Sequence, residues 1–195
     1  MTHNNSILCH LNDEGFTTKQ SDIRFMGKLR DKMIQKPWDY VSEPKFIDMV
    51  TRKGHSFYGN IFQGGDLMET GKQRECWRAQ SIVAVDIDKT TTDPQYLCHF
   101  YTDLGLIPWM AYPTFSDGKD GLRSYRILWR VEVDHKPSYD QWGSVIKALS
   151  RQTDLGDKRA TDSSRLWAGS LAGPCWHVPG LTWTYKELAK ILGLD

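Results

Sequence analysis

Apolar residues fall along this chain in short runs, separated by polar and glycine-rich turns. The clearest run is "SIVAVDID", where Ile82, Val83, Ala84 and Val85 follow one another without a polar break. Such a run marks a strand covered on both faces. "DPQYLCHFYTDLG" switches to helical spacing through Leu97, Phe100, Tyr101 and Leu104, with Pro94 at the first position and Gly105 as its stop. "WMAYPTFS" and "LRSYRILWRVEV" read as two strands joined by the turn "DGKDG". In the second, Arg126, Leu128, Arg130 and Glu132 share one face, and Ile127, Trp129, Val131 and Val133 the other. "SYDQWGSVIKALS" predicts a helix opened by a Ser138/Gln141 capping box, and "TYKELAKILG" a last helix with a Thr184/Glu187 box.

Upstream the pattern is weaker. Residues 1–16 are polar and expected to be loose, and 17–53 to be helical. "SDIRFMGKLRDKMI" carries Ile23, Phe25, Met26, Leu29 and Met33 at helical intervals, and "EPKFIDMVTRKG" a second short helix ending at Gly54. "HSFYGNIF" suits a strand and "QGGDLMETGKQ" a turn-rich loop. No repeat or linker divides the chain, so one domain over residues 1–195 is expected, with a mixed α/β or α+β fold.

Composition adds bounds rather than a function. The 195 residues are 39% apolar and 25% charged, those of a globular chain with one sizeable core. No apolar run approaches the ~20 residues that span a bilayer. The polar start "MTHNNS" is no secretory signal, so a cytoplasmic location with no membrane partner is expected. Cys9, Cys76, Cys98 and Cys175 are widely spaced and expected as thiols; a zinc site from Cys9, His10, Cys175 or His177 is a lesser option. A net charge of +1 does not signal nucleic acid, although residues 18–53 carry nine Lys/Arg against five Asp/Glu.

The chemistry concentrates where the strongest strand ends. Asp86 and Asp88, two apart on a strand, face one site. Carboxylates held that close repel unless a cation lies between them or one keeps its proton. Turn or capping residues are the plain alternative to a metal or phosphate site. Two enzyme classes use such a pair. A haloacid-dehalogenase-type phosphatase would read D-x-D-x-T as nucleophile, acid and phosphate contact, with "GDKRATD" (Gly156, Asp157, Asp162) as its acid motif. Against it, 80 residues precede this strand, and "ALSRQTDLGD" is too polar for the buried strand that motif follows. A nucleotidyl transferase would read the pair as a clamp for divalent metals. Arg123 and Arg126, near the hydroxyl-bearing turn Thr114 to Ser116, suit a triphosphate, or else are solvated or ion-paired strand residues.

The blocks "GHSFYGNIFQGG", "WRAQSIVAVDIDKT", "YPTFSDGKDGLRSYRILWRVEV" and "DKRATDSSRLWAGS", in that order and spacing, resemble the archaeo-eukaryotic primase superfamily. They are most similar to primase-polymerase domains of bacterial plasmids, phages and genomic islands. The resemblance runs from about Gly54 to Gly173. It implies an α+β fold with a mixed or antiparallel central sheet flanked by helices, an RRM-like palm. It further implies a DNA primase or primase-polymerase, a template-directed nucleotidyltransferase using two Mg2+ or Mn2+ ions. Its partners would be single-stranded DNA template, nucleoside triphosphates and a replicative helicase or initiator, in replication of a mobile element. Asp86, Asp88 and Asp157 would be the catalytic, metal-binding acids, with Asp154 and Asp162 as alternatives for the third. Thr114, Ser116, Lys119, Arg123, Arg126 and Arg165 would bind the nucleotide. Gly54, His55 and Phe57 would shape the wall near the template or only pack. The chain departs from the pattern at Asp117, where relatives commonly carry histidine; Arg123, Arg126 or Lys119 would then take over that phosphate contact. A catalytically silent, DNA-binding replication accessory of the same fold is the remaining alternative.

Overall fold

A computed structural model describes residues 6–17, 28–29, 32–33, 38–62, 76–157 and 165–194. The helix expected over Ser21 to Ile34 and the loop after Phe62 lie largely outside these residues. In chain order, the described elements begin with β1 (Ser6–Gly15), β2 (Asp39–Ser42) and α1 (Glu43–Ile47), which runs into a π-helical turn over Asp48–Arg52. β3 (His55–Tyr58), β4 (Asn60–Phe62), β5 (Trp77–Gln80), β6 (Ile82–Thr90) and α2 (Pro94–Asp103) follow. β7 (Met110–Pro113), β8 (Arg123–Arg130), α3 (Tyr139–Arg151), β9 (Leu166–Trp167), β10 (Trp176–His177) and α4 (Tyr185–Ile191) complete them.

The fold is α+β. Its central sheet, in the order β10-β7-β8-β6, is antiparallel throughout. A second antiparallel sheet runs β2-β1-β3-β9, and β4 and β5 form a separate pair. The central sheet is covered on both sides, as the unbroken apolar run requires. Val83, Val85, Ile87, Ile127 and Trp129 pack with Leu97 and Tyr101 of α2, Trp142, Val145 and Ile146 of α3, and Leu188 of α4. Ile82, Ala84, Met110, Tyr112 and Leu128 pack on the other side with Ile7 and Cys9 of β1, Phe46 of α1, Phe57 of β3 and Trp167 of β9.

The local signals that predicted the helices are present as hydrogen bonds. Ser138 and Gln141 form the capping box of α3, and Thr184 and Glu187 that of α4. The Asp93 side chain, not singled out from the sequence, caps α2. Gly54, at φ +72°, takes a left-handed conformation that ends the π-helical turn and starts β3.

Two expectations fail in the N-terminal part. Residues 6–15 form a ten-residue strand, with Ile7, Leu8, Cys9 and His10 all buried. Polar contacts tie it into the fold: His55 Nδ1 lies 2.6 Å from the Asn12 carbonyl, and the Phe62 amide donates to His10 Nε2 at 3.4 Å. Nor is 17–53 all helical, because β2 lies within it. The four cysteines form no disulfide. The zinc option also goes: His177 is bonded to Glu43, and no group of three or more His, Cys, Asp or Glu among the described residues could hold a metal.

Candidate active site

β6 leaves the core at Asp86. In register it stands opposite Arg126 of β8, which stands opposite Tyr112 of β7, so the three side chains share one face of the sheet. Asp86 is 7% exposed, and Asp88, one pleat further, is exposed. Beyond Ile87 the β6–β8 register shifts, and Lys89 takes φ +54°. Such bulges re-aim side chains at sheet ends. The two carboxylates open onto a cleft of about 170 Å³ lined also by Thr114, Phe115, Ser116, Arg126, Arg165, Leu166, Ala168 and Gly169.

One arginine is built into the wall. Arg126 Nε donates to Asp86 Oδ1 at 2.8 Å, with Nη2 at 2.8 Å from the same oxygen. Its Nη1 donates to the Tyr112 hydroxyl at 2.9 Å and to the Ala168 carbonyl at 2.6 Å. Its guanidinium carbon lies 4.5 Å from the Trp167 ring centre. Burial opposes the charge on Arg126, but the Asp86 carboxylate and the Tyr112 hydroxyl more than offset it, and the pKa lies above its usual value. Burial likewise raises the pKa of Tyr112, against the pull of Arg126.

Arg165 stands differently. Its side chain is 36% exposed, its Nη2 is 4.0 Å from Asp86 Oδ2, and its guanidinium carbon is 5.3 Å from the Trp167 ring centre. It presents a cation to the cleft beside the hydroxyls of Thr114 and Ser116. Gly169 closes the floor: a Cβ there would sit 2.5 Å from the carbonyl oxygens of His55 and Val50. Only glycine lets the backbone come so near.

Asp86, Asp88, Thr114, Ser116, Arg126 and Arg165 are therefore brought together. Arg123 is not. It lies three residues from Arg126, on the opposite face, where Nε pairs with Asp117 Oδ1 at 2.9 Å and Nη1 is 3.6 Å from Asp93. Asp117 also accepts from the Ser124 amide at 2.8 Å, so it closes the β7–β8 hairpin. Lys119 sits exposed in the turn between these strands and does not line the cleft. His55 and Phe57 are buried in the second sheet and pack.

Of the candidate third acids, Asp157 is nearest in register. Ile87 pairs with Gly156 in an antiparallel bridge, and the Asp157 amide donates to the Asp86 carbonyl at 2.9 Å. This sets Asp157 opposite Asp86, on the same face of the sheet. Asp154 is exposed, and Asp162 lies outside the described residues. Sequence reasoning missed Tyr112, Trp167 and Ala168. Alternation along β7 places Tyr112 on the Arg126 face once the hairpin register is known, but nothing local marks the short β9.

The antiparallel sheet overturns the haloacid-dehalogenase reading, which needs the Asp86 strand in a doubly wound parallel sheet. No protein-family model and no curated protein matches the chain. Among solved structures, it is similar to the AEP domain of the cyanophage S-2L primase-polymerase (PrimPol). The TM-score is 0.49 at 11% identity, covering 98% of this chain and 91% of that one.

Proposed function

We propose that this chain is a primase or primase-polymerase catalytic domain, which joins nucleotides on a single-stranded DNA template using Mg2+ or Mn2+. The observation that carries the reading is the carboxylate pair Asp86/Asp88 at the mouth of a cleft whose other wall offers hydroxyls and the partly exposed cation Arg165. An acidic pair facing a cationic, hydroxyl-bearing wall suits a triphosphate carried with a hard cation.

The donor set fits such a cation. Arg126 occupies Oδ1 of Asp86, which leaves Oδ2 towards the cleft, and Asp88 lines the same cleft. Asp157, opposite Asp86 on the same face, is the third acid of this reading. When bound, divalent metal lowers the pKa of the attacking 3′-hydroxyl and neutralises charge on the triphosphate and departing pyrophosphate. Thr114, Ser116 and Arg165 bind and orient the phosphates. A separately encoded helicase or initiator, in replication of a mobile element, belongs to the same reading.

A second reading, a DNA-binding accessory without catalysis, draws on one observation: no three acids converge among the described residues. Incorporation of labelled nucleotides on a primed and an unprimed single-stranded template, with Mn2+, separates the two. The expected result is template-dependent synthesis that chelation abolishes and that Asp86→Asn with Asp88→Asn removes. DNA binding without synthesis, under Mg2+ and Mn2+ alike, would favour the accessory.

A further inference from the structure

Arg126 has little left to offer a substrate. Its contacts with Asp86, Tyr112 and Ala168 use most of the N–H groups a guanidinium has, and its side chain is 8% exposed. Its partners are themselves fixed. The Tyr112 hydroxyl donates to the Ala168 carbonyl at 3.0 Å, and Trp167 is held on β3 by pairing with Phe57.

We propose that Arg126 is a positioning residue: it holds Asp86 by one oxygen, keeps the other towards the cleft beside Asp88, and touches no nucleotide. The proposal rests on the metal-dependent reading above. Two carboxylates on adjacent pleats repel, and a side chain free to rotate would swing one away. A counter-charge behind Asp86, itself clamped from β7 and β9, lets the pair stand ready before a cation arrives. Groups behind metal ligands commonly change metal affinity by about 10–100-fold when altered. Arg165, partly exposed and lining the cleft, is the cation placed to meet phosphate.

Arg126→Lys keeps the charge but cannot reach Asp86, Tyr112 and Ala168 together. Tyr112→Phe removes one clamp and keeps the packing. Each would be titrated with Mn2+ alone by calorimetry, and its nucleotide KM then measured at saturating Mn2+. Arg126→Lys should weaken Mn2+ binding by about 10-fold or more, with nucleotide KM within about 2-fold of the original chain. Tyr112→Phe should shift Mn2+ binding in the same direction, by less. If Arg126→Lys does not fold, by circular dichroism, Tyr112→Phe carries the test. Unchanged Mn2+ affinity in the folded variants, or a raised KM once Mn2+ is saturating, would return Arg126 to the nucleotide and end the proposal. An original chain that takes up no Mn2+ overturns this role and the metal site together. One that binds Mn2+ but makes no primers sinks the primase reading alone.

Discussion

At the scale of residues, the three arginines that the sequence places in one group part company through strand alternation. Arg126 is walled in with Asp86, Arg123 closes a hairpin with Asp117, and Arg165 alone of the three is both partly exposed and in the cleft. Arg165→Ala should therefore raise nucleotide KM, since a charge-assisted contact to phosphate contributes about 1.5–3 kcal/mol. Steady-state incorporation against nucleotide concentration reads this directly, and an unchanged KM would remove Arg165 from the site. Arg123→Ala should leave KM alone. Its pair with Asp117 is partly solvated, so melting should fall by no more than about 1 kcal/mol. Asp86 also behaves differently from its neighbour. Asp86→Ala would strand Arg126 without its counter-charge and cost about 3–5 kcal/mol. Asp88→Ala, at an exposed position, should cost the fold little. Denaturant midpoints of the two variants test the asymmetry, and equal midpoints would contradict the buried pair.

Among the elements, those with strong local signals were legible and those defined by distant partners were not. β6, α2, α3 and α4 stand where the apolar run and the caps put them, because both are short-range features. β1 was hidden. Its His10, Asn12 and Asp13 read as polar loop, and only the pairing with β2 and β3 and the contact of His10 with Phe62 of β4 reveal the strand. β9 is two residues long and exists through Phe57 and Tyr58 of β3, far away in sequence. The site followed the same rule. Asp86 and Asp88 could be paired from the period of the strand, whereas the clamp of Tyr112, Trp167 and Ala168 on Arg126 needs the folded register. Gly169, just past β9, shows how tightly this wall is set. Gly169→Ala would drive a methyl into the carbonyls of His55 and Val50 and should cost about 1–3 kcal/mol. Because Ala168 and Trp167 would shift with it, synthesis should fall further than the melting temperature alone explains. A Gly169→Ala chain with normal activity and stability would contradict the close approach.

Across the whole molecule, the layer between the two sheets is apolar in the middle and bounded by two buried ion pairs. Ile7, Phe57, Ile82, Ala84, Leu128 and Trp167 fill the centre. Arg126 with Asp86 marks one end, and Arg130 with Glu43, at 2.8 Å, the other. Arg126, Leu128 and Arg130 alternate along β8, so one strand face supplies both cations and the apolar residue between them. At the second end Glu43 accepts from Arg130, lies 2.8 Å from His177 Nε2 and receives the Gly180 amide, while Arg130 Nη2 donates to the Ser6 carbonyl at 3.1 Å. One carboxylate on α1 thus ties β8 and β10, and through Arg130 the start of β1. Charges buried this deeply lose their hydration, and the pair holds only while both members are present. Glu43→Ala should cost about 3–5 kcal/mol, whereas Glu43→Leu with Arg130→Met should recover much of that loss by packing. Nucleotide KM should stay unchanged in the double variant, because Glu43 and Arg130 do not line the cleft of Asp86 and Asp88. Urea denaturation of the single and double variants gives the coupling. A double variant no more stable than Glu43→Ala would mean that this end is needed for its polar ties themselves, to Ser6, His177 and Gly180, rather than for charge balance.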